Sequence, residues 1–361
     1  MDERTGRITK ATGDQSRLYN AAQRFRSGLI AREDAAIQSL SRLYRATIRK
    51  ADADLARLDA RIADALDRGM DVGEATALMR ERLVNTIDTF GRELAALSND
   101  ASAIVASGQQ DAMDFAVENT PGLVNAAAGI NPVAPTVAIA LTQPDSAALR
   151  AFAGFASDGS PLSDLFASIA NDQPQVMRNI LSSAIGTGEN PRAIIGQIRR
   201  TTGIPAARAE TIARTEMIRA SREAQRLMYE DAPSVTGFQR QAAQDQRVCL
   251  ACLALSGTKQ PTNEILPSHP NCRCVMVPVT LSWAEITGDP SIPDTRAEAA
   301  GPQELLDGLD DAEKMLVFGP KRWALYQAGT PLDQMVEVVN DPTWGPTTKI
   351  KPLRNIGQGG I

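Results

Sequence analysis

The feature that most constrains this chain is the placement of its four cysteines and its single histidine in one short window. The window opens with Cys249 and Cys252 and closes with His269, Cys272 and Cys274. A Cys-x-x-Cys turn lets two thiolates converge on one metal ion. A second pair at the same spacing, His269 and Cys272, completes a tetrahedron if a hairpin brings the two turns together. The sequence therefore predicts a metal-binding knuckle, with zinc as the expected ion and Cys274 as an alternative ligand or a spare.

Two other interpretations of the cysteines stay open. The four thiols can form two disulfides once a particle leaves the cell, although paired cysteines of a chain that folds in a reducing compartment more often hold metal. They can also be free thiols, in a lineage that has lost its metal.

A catalytic zinc site needs an open coordination position with a general base beside it. In zinc deaminases a His-x-Glu motif precedes Pro-Cys-x-x-Cys, whereas here Cys-x-x-Cys comes first and Pro270 and Asn271 follow the histidine. Asp245 and Glu264 are near in sequence, but an acidic residue beside a knuckle is more often a surface or supporting group than a base. We therefore expect a closed, structural zinc site and no enzymatic activity.

Composition limits the function classes. The 361 residues suffice for two or three domains with cores of their own. A net charge of -5 argues against a dedicated nucleic-acid-binding domain, which needs a surplus of Lys and Arg on one face. The first residues contain no apolar segment of the secretory type, so we expect synthesis in the cytoplasm. The longest apolar stretch, Ala126 to Leu141, contains Pro132 and Pro135 and falls short of the roughly 20 residues that span a bilayer.

Helical periodicity dominates the N-terminal third. Apolar side chains recur in steps of three and four from Ile37 to Leu66, and Gly69 ends this long amphipathic helix. A second pattern runs from Leu78 to Leu97. We expect a long helical hairpin with an additional leading helix, and a coiled coil is the alternative.

The rest of the chain alternates between breaks and shorter elements. The composition shifts toward Gly, Ala and Pro between Asn119 and Ser163, with a first break at Pro121-Gly122, and helical periodicity returns from Leu165. The helices expected there cover 165–185, 192–200 and a longer segment that begins near Pro205 and ends before Pro233. Val235–Ala243 and Val275–Leu281 have strand patterns and flank the cysteine window.

The C-terminal tail begins at Ser282. It is expected to contain two short helices, Gln303–Leu316 and Leu332–Val339, and to end in a mobile, Gly-rich terminus from Gly357 to Ile361. The predicted fold class is mainly α with a small β-hairpin metal-knuckle subdomain (α+β), elongated, with long N-terminal helices.

Two motifs carry a resemblance to a known family. The helix Arg208-Ala209-Glu210-Thr211-Ile212-Ala213-Arg214-Thr215-Glu216, followed by Asp245-Gln246-Arg247-Val248-Cys249-Leu250-Ala251-Cys252, resembles the core of Mu F-like phage head morphogenesis proteins. His269-Pro270-Asn271-Cys272-Arg273-Cys274 resembles the end of that family's domain. The resemblance covers about Gln173 to Val279. It departs from the family at Phe238, because family members commonly have a Trp in this strand.

The resemblance implies a minor head protein that is associated with the portal at the portal vertex of the virion head. It further implies the major capsid or scaffolding protein as partners, and a DNA contact that the acidic balance makes weak. Within the resemblance we expect the Arg-Thr-Glu segment to be a structural helix with ion pairs and a back-bonded Thr. We also expect Arg247 to bind a nearby carboxylate and lock this helix to the hairpin.

The predicted organisation has five parts. They are a long helical hairpin region (1–118), a Gly/Ala/Pro-rich connector (119–164), the helical part of the Mu F-like domain (165–232), the β-hairpin with the Cys/His knuckle (233–281), and a C-terminal tail with short helices (282–361).

The sequence leaves two other function classes open beside a structural head protein that acts in assembly, genome packaging or ejection. One is a zinc-dependent nuclease or other DNA-acting enzyme carried in the particle, for which the chain offers no second histidine. The other is a DNA-binding adaptor that uses basic residues near the N-terminus, such as Arg24, Arg26, Arg32, Arg42, Arg45 and Arg49. A solvated helical face accounts for these arginines more simply.

Overall fold

The computed structural model describes residues 13–156, 158–243 and 248–356. The described part begins with six helices: α1 (Gly13–Asp67), α2 (Val72–Ala128), α3 (Ser146–Phe152), α4 (Leu162–Gly186), α5 (Pro191–Arg199) and α6 (Ile204–Glu230). The elements that follow are β1 (Val235–Gln241), α7 (Leu250–Ala254), β2 (Lys259–Gln260), β3 (Val275–Thr280), α8 (Trp283–Thr287), α9 (Pro302–Asp307), α10 (Asp311–Gln327), β4 (Val336–Asp341) and β5 (Gly345–Ile350). The mainly helical α+β class expected from the sequence is confirmed.

The two N-terminal helices are longer than expected. Helix α1 is continuous from Gly13, so the separate leading helix is wrong; buried Leu18, Phe25 and Leu29 continue its apolar stripe toward the N-terminus. Helix α2 passes through Pro121 and ends at Ala128, so the break predicted at Pro121-Gly122 is also wrong. A proline inside a helix costs about 3 kcal/mol, and the burial of apolar residues on the following turns, such as Val124, offsets that cost.

The described residues form two compact units. The first, here called the knuckle unit, comprises those in Met1–Arg32, Gln109–Ala153 and Met217–Ile361, and the second, the helical unit, comprises those in Glu33–Gly108 and Gly154–Glu216. The five-part organisation predicted from the sequence stays a prediction.

The core of the helical unit is formed by the predicted stripes of α1 and α2. The side chains of Leu40, Tyr44, Leu55, Ile62, Met79, Leu83 and Ile87 are almost completely buried. Arg192 of α5 donates to Asp59 of α1 at 2.9 Å. In α6, Arg214 lies 3.8 Å from Glu210, and Thr215 Oγ1 donates to the Thr211 carbonyl at 2.7 Å, as expected for a structural helix.

The knuckle unit contains the two predicted strands. Strands β1 and β3 pair antiparallel, with Gln239 opposite Val277, and β2 pairs with the other edge of β1. One face of this sheet packs through Phe238, which is fully buried with Tyr229 and Met276. The cysteine window lies between β1 and β3 in the chain, so the predicted pairing of the two strands that flank it is confirmed.

The tail differs most from its prediction. The segment expected to be a helix at Leu332–Val339 is a single 3₁₀ turn, Leu332–Met335, followed by β4, which pairs with β5. The helix expected at Gln303–Leu316 is divided into α9 and α10, and α10 is kinked at Gly319, whose φ is 68°. The terminus Gly357–Ile361 lies outside the described residues. No helix of the described ranges is long and apolar enough to cross a membrane.

Candidate metal centre

The first half of the centre is a Cys-x-x-Cys turn at the start of α7. Cys249 is the N-cap of this helix, and its Sγ accepts a hydrogen bond from the Cys252 backbone N–H at 3.4 Å. Both thiols therefore lie on the same side of the first helical turn. Cys252 is buried and Cys249 is half-buried.

The second half is the tight turn that precedes β3. The Cys272 N–H donates to the His269 carbonyl at 3.1 Å, and Asn271 takes a left-handed φ of 61°, which Asn tolerates better than most residues. His269 Nδ1 lies 2.7 Å from the Pro270 carbonyl oxygen. Because a carbonyl oxygen can only accept, Nδ1 carries the proton of this hydrogen bond, and Nε2 is the ring nitrogen that could bind a metal once it loses its own proton.

The two halves come together as the spacing predicted. His269 Nε2 lies 3.1 Å from Cys249 Sγ and 3.2 Å from Cys252 Sγ, and Cys252 Sγ lies 3.8 Å from Cys272 Sγ. The ligand atoms form two overlapping groups, Cys249–Cys252–His269 and Cys252–Cys272–Cys274, within each of which all atoms are within 4.8 Å of one another. Cys252 belongs to both groups.

These distances can be compared with those around a tetrahedral zinc ion. Bond lengths of about 2.3 Å to sulfur and about 2.05 Å to nitrogen place two sulfurs about 3.8 Å apart and a sulfur and a nitrogen about 3.6 Å apart. The Cys252–Cys272 distance agrees, and the two sulfur–nitrogen distances are within half an ångström. All four cysteines are free rather than joined in disulfides. Thiolate and imidazole are the ligands that zinc prefers, so the cluster can bind a metal such as zinc.

The electrostatics of the cluster favour thiolates at two positions. Hydrogen bonds from Cys252 and His269 lower the pKa of Cys249 to about 4. Hydrogen bonds from Cys252 and Cys274, together with the charges of two arginines, lower the pKa of Cys272 well below its ordinary value. Burial would lower the pKa of His269, but its hydrogen bond with Cys249 and the charges of Cys272 and Cys249 raise it to about 9.

Three buried arginines surround the second half of the centre, and sequence reasoning did not assign them to it. Arg222 of α6 and Arg240 of β1 contact the cysteine sulfurs. Arg26 of α1 donates to the carbonyls of Arg273 and Ala242, each at 3.0 Å, so this member of the proposed DNA-binding set is not a solvated side chain. The one available signal was Arg240, a cation in the middle of the predicted strand Val235–Ala243.

Apolar residues close over the cysteines. Cys252, Cys272 and Cys274 belong to a buried cluster with Leu253 of α7 and Leu305 of α9. Among the residues that the structure describes, neither metal-binding group contains a carboxylate. This donor set is typical of a closed structural zinc site, since a hydrolytic site needs a base beside an open position. Asp245 and Arg247, the latter expected to lock helix to hairpin, lie outside the described residues.

The comparison with protein families concerns the part of the chain that builds this centre. Residues 175–277 match the model of the family described as phage Mu protein F like protein. Over this segment the chain is similar to the phage Mu protein F-like family. The match begins in α4, ends in β3 and includes all five knuckle side chains, and it confirms the resemblance drawn from the sequence.

The Mu F-like family is a family of phage head morphogenesis proteins. It is generally non-enzymatic. The match covers less than a third of the chain. No curated protein and no solved structure matches.

Proposed function

We propose that this protein is a structural minor head protein of a tailed phage or phage-like particle. It is made in the host cytoplasm, lies at the portal vertex of the head in contact with the portal protein, and acts in head assembly, genome packaging or ejection. The observation that carries the proposal is the Mu F-like segment at 175–277 together with its complete Cys/His cluster. The major capsid or scaffolding protein is the next partner, and any DNA contact is weak because the chain is acidic.

Co-expression with the portal protein of the same particle tests this proposal. We expect the chain to co-purify with the portal oligomer and to be detected by mass spectrometry in mature particles. Absence from both refutes it. Retention of the isolated chain on DNA with a steep salt dependence would favour a DNA-binding adaptor instead, and metal-dependent cleavage of DNA that His269→Ala abolishes would favour a nuclease.

We further propose that the knuckle holds one structural zinc ion, with ligands drawn from Cys249, Cys252, His269, Cys272 and Cys274. The sulfur and nitrogen distances and the free thiols support this, and so does the location of the cluster between two segments of a small sheet. A sheet this small has little stability of its own, and a bound metal contributes its binding energy to folding.

Elemental analysis of the purified protein, with thiol counting before and after chelation, tests the zinc proposal. One equivalent of zinc, with thiols that react only after chelation, supports it. Thiols that react freely without chelation, or that react only after a reductant is added, would instead indicate the free-thiol or disulfide interpretation.

A further inference from the structure

Two arginine side chains are buried against the sulfur atoms of the knuckle. Arg222 Nη2 lies 3.4 Å from Cys272 Sγ and donates to the Cys274 carbonyl at 2.7 Å. Arg240 Nη1 lies 3.9 Å from Cys252 Sγ and 3.8 Å from Cys272 Sγ, and its Nη2 donates to the Pro267 carbonyl. Only 7% of Arg222 and 2% of Arg240 are exposed to solvent.

Buried guanidinium groups need a negative partner. Arginine stays protonated in proteins, and an unpaired buried charge costs several kcal/mol. No carboxylate of the described residues forms an ion pair with Arg222 or Arg240, whereas Arg226 on the same helix pairs with Glu223 and Glu230. The two buried arginines instead contact cysteine sulfurs, which become thiolates when they bind a metal ion.

The charge of a zinc-loaded knuckle fits this arrangement. Three thiolates and a neutral imidazole around Zn²⁺ give a net charge of −1, and four thiolates give −2. Either centre is a buried anion, and two buried cations contact the side formed by Cys252 and Cys272. Hydrogen bonds from such outer groups orient the ligands and tune metal affinity.

We infer that Arg222 and Arg240 are positioning residues of the metal centre: their guanidinium groups neutralise the Cys252 and Cys272 thiolates and tie the Cys272 turn to α6 and β1. The inference rests on the proposed zinc site. It assigns the two arginines a role in metal retention beyond their hydrogen bonds to backbone carbonyls.

The test is the zinc affinity of full-length variants, measured by competition with a chromophoric chelator. We expect Arg240→Met to weaken zinc binding about 10- to 100-fold, the range for removing a group that supports a metal ligand. Arg240→Lys, which keeps the charge, restores part of the loss. Arg226→Met is the matched control, since it removes an α6 arginine whose partners are carboxylates; we expect it to leave the zinc affinity unchanged.

Each outcome is decisive. If Arg240→Met and Arg222→Met both bind zinc with wild-type affinity, the inference is overturned and the zinc site stands. If Arg240→Met and Arg240→Lys lose zinc affinity to the same extent, the role of Arg240 is purely steric and the inference is also overturned. If Arg240→Met does not fold, the same measurement on Arg222→Met decides. If neither folds in excess zinc, the arginines serve the fold alone and the inference fails. A wild-type chain that binds no zinc overturns both the inference and the proposed metal site.

Discussion

Replacement of Cys252 by serine is the sharpest test of the knuckle, because Cys252 is the one side chain shared by both ligand groups. Without its sulfur, the remaining ligands form only two separate pairs, Cys249 with His269 and Cys272 with Cys274. Cys274→Ser leaves the group Cys249–Cys252–His269 complete, with Cys272 Sγ 3.8 Å from Cys252. We therefore expect Cys252→Ser to lose the zinc and Cys274→Ser to keep it.

The effect on stability follows from mass action. A ligand present at about 1,000 times its dissociation constant stabilises the folded state by about 4 kcal/mol. In a domain of about 150–250 residues, 1 kcal/mol corresponds to about 2–4 °C in Tm, so Cys252→Ser should lower the Tm measured in zinc by about 8–16 °C. A serine at either position also buries a hydroxyl, which can cost about 1–3 kcal/mol if it is unpaired. Because Cys252 and Cys274 are about equally buried, Cys274→Ser corrects for that cost.

The assay is zinc content by elemental analysis beside thermal unfolding, each with added zinc and with chelator. For the wild-type chain and Cys274→Ser, the chelator should lower the Tm. For Cys252→Ser it should have almost no effect. One equivalent of zinc in Cys252→Ser, or equal zinc loss in the two variants, would refute the view that Cys252 joins the two halves of the centre.

Two further predictions concern two glycines of α2 and the ion pair between Asp59 and Arg192. In Gly91→Ala the new Cβ would lie 2.6 Å from the ring of Pro174, whereas nothing lies within 4 Å of a Cβ at Gly122, another glycine of α2. Replacing Gly by Ala inside a helix stabilises the folded state by about 1 kcal/mol, whereas overpacking destabilises it by about 1–3 kcal/mol. Gly91→Ala should therefore be less stable than Gly122→Ala in urea unfolding. Equal stability of the two variants would contradict the close contact. The hydrogen bond from Arg192 lowers the pKa of Asp59 in the folded state. The pair therefore stabilises the fold at pH values above the unfolded-state pKa of about 3.9, and this stabilisation is lost as the pH falls through the lower pKa of the folded state. Asp59→Asn should therefore lower the free energy of unfolding by less than about 1 kcal/mol at neutral pH, because both side chains are partly exposed. In strong acid the substitution should have no effect on stability. A destabilisation that does not change with pH would count against the pair.

The sequence predicted the elements whose periodicity is strong and whose chemistry is local. The stripe of α1 and the strands on both sides of the cysteine window follow from apolar spacing, and the knuckle follows from cysteine spacing. Propensity failed where tertiary packing outweighs it: Pro121 lies inside α2 because the turns beyond it are buried, and β4 forms because β5 pairs with it. Local spacing could not indicate the arginine contacts, because Arg222 is 50 residues from its cysteine partner in sequence and Arg240 is 32 residues from the same one.

Helix α7, which carries Cys252, packs against residues outside the matched family segment. This helix has five residues, too few to be stable alone. One side of it presents Cys252 to the knuckle, and another buries Leu250, Ala251 and Ala254 against Leu306, Phe318, Met335 and Val336 of the tail.

The tail residues of this second cluster lie beyond the matched range of 175–277. Val124 of α2, which packs on the sheet with Phe238, lies before it. The Cys/His cluster and the apolar cover thus contact the same short helix on two sides. A chain cut at the limits of the family match would keep every ligand and lose the packing that orients them.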